Sequence, residues 1–274
     1  MTDPLITLTD DGLYCPAGDF HVDPWNPVSR AVVTHAHSDH AKWGCAHYLV
    51  CEPGRHLFRT RLGDTANIDT LPYGERLDRN GVTVSFHPAG HVLGSAQIRL
   101  EHRGEVWVVT GDYKLDPDPT CAPFEPVRCH TCLTESTFGL PIYRWETPDV
   151  LFGGINDWWR ANRAAGKTSI VYAYSLGKAQ RVMAGVDASI GPIFTHGATE
   201  KVTRAYRESG VELPPTTAVG EVTKARPKDK PWVGGLVVAP PSADGSPNPR
   251  AGDRSRRRTR AVTFPSASRG WSRA

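Results

Sequence analysis

Long apolar runs are missing from this 274-residue chain. No stretch approaches the roughly 20 residues that a membrane span needs, so a membrane protein is not expected. The start, Met1-Thr2-Asp3-Pro4, lacks the basic patch and apolar core of an export signal, which points to the cytoplasm. The six cysteines, at 15, 45, 51, 121, 129 and 132, are then expected as reduced thiols. Cys129-His130-Thr131-Cys132 spells C-x-x-C, but a zinc knuckle wants a second pair and the sequence has none. It reads as a strand carrying two ordinary thiols. A general basic excess is lacking too. The net charge is +3, yet the stretch from Pro241 onward holds eight arginines against two aspartates, leaving −3 on everything before it. Any nucleic-acid binding by the body of the chain must therefore come from a local cleft rather than from overall charge.

What is present is concentrated in Thr34-His35-Ala36-His37-Ser38-Asp39-His40, an H-x-H-x-D-H cluster that follows the apolar run Ala31-Val32-Val33. It reads as the loop leaving a buried strand. Imidazoles with a carboxylate suit borderline divalent metals such as zinc. One ion has no use for four ligands in six residues plus further ones downstream. Two ions a few ångströms apart do, and such a pair is the usual engine for hydrolysing phosphate esters.

The organisation falls into three parts. Residues 1–140 are strand-rich. Ala96–Glu101 and Val82–Phe86 alternate apolar and polar residues, and Glu105–Thr110 is a more continuous apolar strand set off by the plausible hairpin His102-Arg103-Gly104. Cys129–Thr134 is another strand. From Pro148 the pattern changes to helix 148–165, strand 168–174, helix 176–186, strand 192–195, helix 198–208 and a last strand 235–239. That alternation is the signature of a parallel α/β unit. The boundaries are set at 1–144 and 145–240. Residues 241–274, rich in Ser, Pro, Arg and Gly, are expected to be a disordered basic tail, because they cannot bury enough apolar surface to offset their ordering entropy.

Further metal ligands must come from elsewhere in the first domain. His91 sits in the glycine-flanked loop Pro88-Ala89-Gly90-His91-Val92-Leu93-Gly94-Ser95. Asp112 ends a strand in Thr110-Gly111-Asp112-Tyr113 and has two oxygens with which to bridge two ions. Asp23, ending the segment Phe20-His21-Val22-Asp23, is placed to orient a ligand from behind. Each is weak alone; in order behind the histidine cluster they gain weight together.

This ordered set resembles the metallo-β-lactamase superfamily, an αββα sandwich with a two-metal site at one sheet edge. Leu133-Thr134-Glu135-Ser136-Thr137-Phe138-Gly139, followed by an α/β insertion, resembles the β-CASP nucleases of that superfamily. Within them, Pro24-Trp25, residues 34–40, 88–97 and 110–114, and Tyr172-Ala173-Tyr174-Ser175-Leu176-Gly177-Lys178 look like the bacterial DNA-ligase-associated exonucleases. The resemblance implies an α/β fold: the sandwich, an inserted β-CASP domain at 145–240, and two divalent ions, zinc with manganese as the alternative. It implies His35, His37 and His91 on the first ion, Asp39 and His40 on the second, and Asp112 between them. Asp39, Asp112 and Glu135 are the implied catalytic carboxylates, Glu135 supporting a histidine that protonates the leaving oxygen. Ser136, Thr137, Ser175 and Lys178 are the implied substrate contacts. The implied activity is hydrolysis of DNA phosphodiesters, exonucleolytic and in repair, alongside an ATP-dependent DNA ligase and a helicase.

The family pattern continues beyond Pro240 with a strand, an S-D-H-A-D segment and a T-H-G segment, and neither segment is present here. The expectation is a truncated or frameshifted reading that lacks the return to the sandwich, with impaired stability and activity. Two other readings remain open: an RNA-processing β-CASP nuclease, and a catalytically inactive scaffold of the same fold.

Overall fold

Alternating and continuous apolar runs build most of the first half. The computed structural model describes residues 4–225 and 231–243, and the backbone of a short strand at 260–263. The chain divides into two units, one holding residues 1–137 with Glu208–Gly210, the other the rest. This division lies seven residues before the expected boundary at 144/145.

The first unit contains two sheets. One has six strands in sequence order: β1 (Thr7–Thr9), β2 (Gly12–Cys15), β3 (Phe20–Val22), β4 (Arg30–Val33), β5 (His47–Cys51) and β6 (Ile68–Leu71). The first two pairings are antiparallel and the last three parallel. Helix α1 (Arg55–Leu62) lies between β5 and β6 and buries Leu57, Phe58 and Leu62. The second sheet is ordered β11-β10-β9-β8-β7, from β7 (Arg76–Arg79), β8 (Val82–Pro88), β9 (Ala96–His102), β10 (Glu105–Val109) and β11 (Thr131–Leu133). The expected β9–β10 hairpin forms, and β11 joins β10 in parallel. Side chains alternate across a strand, so each sheet turns one row of apolar residues toward the other; in the first sheet the opposite row, Ala31, Val33, Tyr48 and Val50, is buried as well. Phe20, Val22, Val32 and Cys51 of the first sheet meet Val84, Phe86, Ile98 and Leu100 of the second in one core. Cys129 precedes β11, so of the C-x-x-C pair only Cys132 lies on the strand.

The second unit is a five-stranded parallel sheet, as its βα alternation predicts. Its elements are α2 (Pro148–Ala164), β12 (Ser169–Tyr172), α3 (Lys178–Gly185), β13 (Ile193–Thr195), α4 (Gly197–Glu208), β14 (Thr216–Ala218), α5 (Val219–Ala225), β15 (Leu236–Ala239) and β16 (Arg260–Thr263), with sheet order β14-β13-β15-β12-β16. Pro148 occupies the first turn of α2, where its missing N–H costs nothing. Trp159 is fully buried against Val171, Met183 and Leu236, and its ring N–H donates to the Gly234 carbonyl at 3.2 Å. Buried Gln180 ties α3 to α4: its amide donates to Thr203 Oγ1 and to the Ser175 carbonyl, both at 3.0 Å.

The expectation for the C-terminal stretch needs correction. Residues 241–274 were read as structureless throughout, yet Pro241–Ala243 forms a short 3-10 helix and Arg260–Thr263 pairs in parallel with β12. Val262 and Thr263 are β-prone, and the edge of β12 offers the segment a row of backbone donors and acceptors. The remainder of that stretch, including Arg254–Arg258, lies outside the described residues. Helix α1, strand β14 and helix α5 were not anticipated. No helix among the described residues is long and apolar enough to cross a membrane.

One backbone contact holds the His91 loop to the start of α1. A Cβ on Gly94 would lie 2.2 Å from both Cα and N of Gly54, and Gly94 has φ +69°. Replacing Gly94 by Ala therefore combines left-handed strain with a backbone clash, and should cost about 3 kcal/mol or more. Gly104→Ala, at φ +82° with open space around it, should cost only about 1–2 kcal/mol. Denaturant unfolding under a chelator checks this; equal losses would contradict the packing described.

Candidate metal centre

Strand direction gathers the site. Within the second sheet β8 and β10 run the same way, and β11 is parallel to β10. The loops carrying His91, Asp112 and Glu135 consequently leave at one end. The loop after β4 is stitched to that same end. Ala96 N–H donates to the Thr34 carbonyl at 2.9 Å. Gly111, at φ +56°, lets the Asp112 loop approach so closely that a Cβ there would lie 2.6 Å from Thr34.

Four donor atoms converge at this edge. His37 Nδ1 lies 2.9 Å from His35 Nε2 and 3.3 Å from His91 Nε2. Asp112 Oδ2 lies 3.6 Å from His91 Nε2 and 3.8 Å from His35 Nε2. Tetrahedral donors at about 2.1 Å from a zinc ion would stand about 3.4 Å apart, so His35, His37, His91 and Asp112 fit a divalent cation. Their protonation suits it as well. Burial first, then the neighbouring imidazoles, push His35 well below its ordinary value and His91 down to about 4. Both rings are thus neutral ligands near pH 7, the form a metal requires.

The other oxygen of Asp112 faces His40. Asp112 Oδ1 is 3.4 Å from His40 Nε2, and Asp39 Oδ2 is 3.8 Å from the same nitrogen. Behind the ring, His40 Nδ1 donates to Asp23 Oδ2 at 2.7 Å. Asp23 also accepts the Thr34 N–H at 2.8 Å and the Thr34 hydroxyl at 2.6 Å, from a backbone held at φ +44°. Burial opposes charge on His40, but the hydrogen bonds and charges of Asp112 and Asp23 outweigh it and raise the pKa to about 10. The His40 hydrogen bond in turn holds the Asp112 carboxyl below its usual range against the pull of burial. The carboxylates thus stabilise positive charge at this second position.

The remaining expected residues are placed as follows. Glu135 spends both oxygens on backbone: one accepts Tyr113 N–H at 3.3 Å, the other Thr137 N–H at 2.9 Å. Its charge also acts on His91. Ser136 and Thr137 are exposed beside it. Ser175 and Lys178 belong to the second unit. There the Ser175 hydroxyl lies 3.4 Å from Thr199 Oγ1, and the Lys178 ammonium lies 4.9 Å over the Tyr174 ring. Two supporting residues had no role assigned from sequence. The Thr34 hydroxyl, besides binding Asp23, is 3.1 Å from His35 Nδ1. The buried Ser95 hydroxyl accepts the N–H groups of His91 and Val92, both at 3.1 Å, and so fixes the His91 turn. Small hydroxyls inside a ligand motif were the available signal.

No family model matches the chain. It is 34% identical over 210 residues to a probable DNA ligase of Opitutus terrae, a match covering 74% of this chain and 20% of that protein. Against an RNase J-like protein of Methanocaldococcus jannaschii it is 25% identical, covering 73% and 54%. Against the endoribonuclease YSH1 of Yarrowia lipolytica it is 30% identical, covering 44% and 14%. A crystal structure of a protein of unknown function from Enterococcus faecalis V583 shares the fold, with TM-score 0.53 at 10% identity over 77% of this chain and 58% of that one. The chain thus spans about a fifth of the first of these relatives and about half of the second. Taken with the motifs and the mixed α/β architecture, these likenesses support the metallo-β-lactamase/β-CASP resemblance.

Proposed function

We propose that this protein is a metal-dependent nuclease that hydrolyses phosphodiester bonds of DNA, acting from strand ends in repair. One observation carries the reading: Asp112 presents Oδ2 to the His35, His37 and His91 nitrogens and Oδ1 to His40, so one carboxylate faces two cation positions. His35, His37, His91 and Asp112 would hold the first ion; Asp39, His40 and Asp112 would hold the second. Divalent ions, zinc or manganese, supply Lewis-acid polarisation of a phosphoryl oxygen and a water made acidic near neutral pH.

The protein's own residues do the rest. Asp23 fixes the face His40 presents, and Ser95 fixes His91, which is the partner-residue support that metal ligands need. Glu135 clamps the Asp112 and Thr137 loops through their backbone. Ser136 and Thr137, exposed next to it, contact the substrate backbone; Ser175, and Lys178 at the start of α3, offer the second unit's own polar contacts to a strand. The likeness to a probable DNA ligase supports DNA as substrate and a ligase as associate; a helicase as a further associate rests on the family resemblance alone. A second reading, RNA processing, is favoured by the likenesses to an RNase J-like protein and to YSH1.

Paired single strands of DNA and RNA of one sequence, labelled at either end and given manganese or zinc, test the reading. Metal-dependent loss of nucleotides from DNA ends is expected, and His37→Ala or Asp112→Ala should lower it by more than about 100-fold, beyond the usual cost of losing a partner residue. Faster cleavage of RNA selects the second reading; cleavage that survives a chelator or both substitutions removes the first and second alike. Asp23→Asn keeps the volume but weakens the grip on His40, and should reduce metal affinity about 10–100-fold in competition with a chelating dye. Unchanged affinity would mean that Asp23 serves only the backbone.

A further inference from the structure

Large aromatic side chains rarely stand in water on rigid backbone, because burying them is worth several kcal/mol. Two tryptophans of the first unit do so within three residues of His40 or Asp23. Trp43 is 73% exposed and Trp25 54% exposed. Trp43 follows His40 by three residues, and Trp25 follows Asp23 by two.

Neither exposure reflects a slack loop. Before Trp43, Lys42 N–H donates to the His40 carbonyl at 3.1 Å. The buried Tyr48 hydroxyl donates to the Lys42 carbonyl at 2.7 Å and accepts the Cys45 N–H at 2.8 Å. After it, Ala46 and His47 donate to the Val28 and Ser29 carbonyls at 3.0 and 3.1 Å. The backbone is thus fixed on both sides while the indole is left outside. Trp25 donates its N–H to the Asp11 carbonyl at 2.9 Å and rests its ring against Gly12. The two loops touch, since a Cβ on Gly44 would lie 3.4 Å from the Pro27 ring.

We infer that Trp43, with Trp25 on the adjoining loop, is a stacking shelf for an unpaired base of the nucleic-acid strand whose phosphate enters the metal centre. This rests on the nuclease reading given above and adds how the strand is held. A phosphodiester at the cations carries a flat base on each side, and the loop that supplies Asp39 and His40 is the loop that presents Trp43. Every base has a π-face, so stacking on an aromatic ring grips a strand without regard to sequence. A duplex hides those faces, so the shelf fits a single strand or an end that has come apart. A second copy of the chain fits less well. Stable protein interfaces bury about 800 Å² on each side, whereas these rings rise from loops otherwise bearing Asn26, Asp39, His40 and Lys42.

The test compares an oligonucleotide with an abasic strand of the same backbone, by fluorescence anisotropy with the full chain under a chelator. The base-bearing strand should bind roughly 5- to 150-fold tighter. Trp43→Ala should remove most of that preference, Trp25→Ala part of it, and Trp43→Phe little. Equal binding of the two strands, or a preference that Trp43→Ala leaves intact, overturns the shelf. Failure of both strands to bind also overturns it, while metal-dependent cleavage decides the nuclease reading separately. A dimer dissolved by Trp43→Ala with the preference unaltered would identify a contact between copies instead, and overturn the inference.

Discussion

Three imidazole nitrogens and a carboxylate oxygen crowd together at one sheet edge, and the first unit is arranged to keep them there. Such a cluster is poorly matched to itself. Burial and mutual repulsion keep His35 and His91 neutral, so ring nitrogens face one another with few protons between them. A sequence optimised for stability alone would place apolar residues here, and conflicts of this kind concentrate at functional sites. A cation would resolve the conflict, since the His35, His37 and His91 nitrogens and an Asp112 oxygen could all turn lone pairs toward it.

The fold supplies the opposing constraint. Three loops leave one end of the β7–β11 sheet, and the Thr34 carbonyl and side chain pull the β4 loop onto them. Asp23 then makes one carboxylate serve three groups: the Thr34 N–H, its hydroxyl and His40. Its positive φ is backbone strain of a kind that surrounding structure must hold in place. The Gly54–Gly94 contact performs the matching task for His91. Chemistry at the edge thus depends on close backbone approaches that only small residues allow.

What the sequence disclosed follows from how local each signal is. H-x-H-x-D-H lies in one loop, so its ligands could be named together; His91 and Asp112 were reached because each follows an apolar strand. Their convergence depends on sheet order, which no local pattern carries. The βα alternation of the second unit was legible because strands and helices differ in period, and α2 was placed to within a residue. Helix α1 was not, since arginines at 55, 59 and 61 leave only Leu57, Phe58 and Leu62 as an apolar signal. Strand β16 was missed because two β-prone residues, Val262 and Thr263, in an arginine-rich stretch acquire structure only from the edge of β12. Thr34 and Ser95 escaped because a hydroxyl declares its role only through the atoms it meets. The tryptophans at 25 and 43 look in sequence like any core residues, and only their exposure sets them apart.

The account stands on a shared pair of cation positions with Asp112 between them. Equilibrium dialysis of the full chain against zinc or manganese, with metal counted per chain by mass spectrometry, tests it most directly. About two ions per chain are predicted, with both positions weakened by Asp112→Ala and only the first by His91→Ala. A chain that takes up no ion, or one whose uptake is indifferent to Asp112, would contradict it.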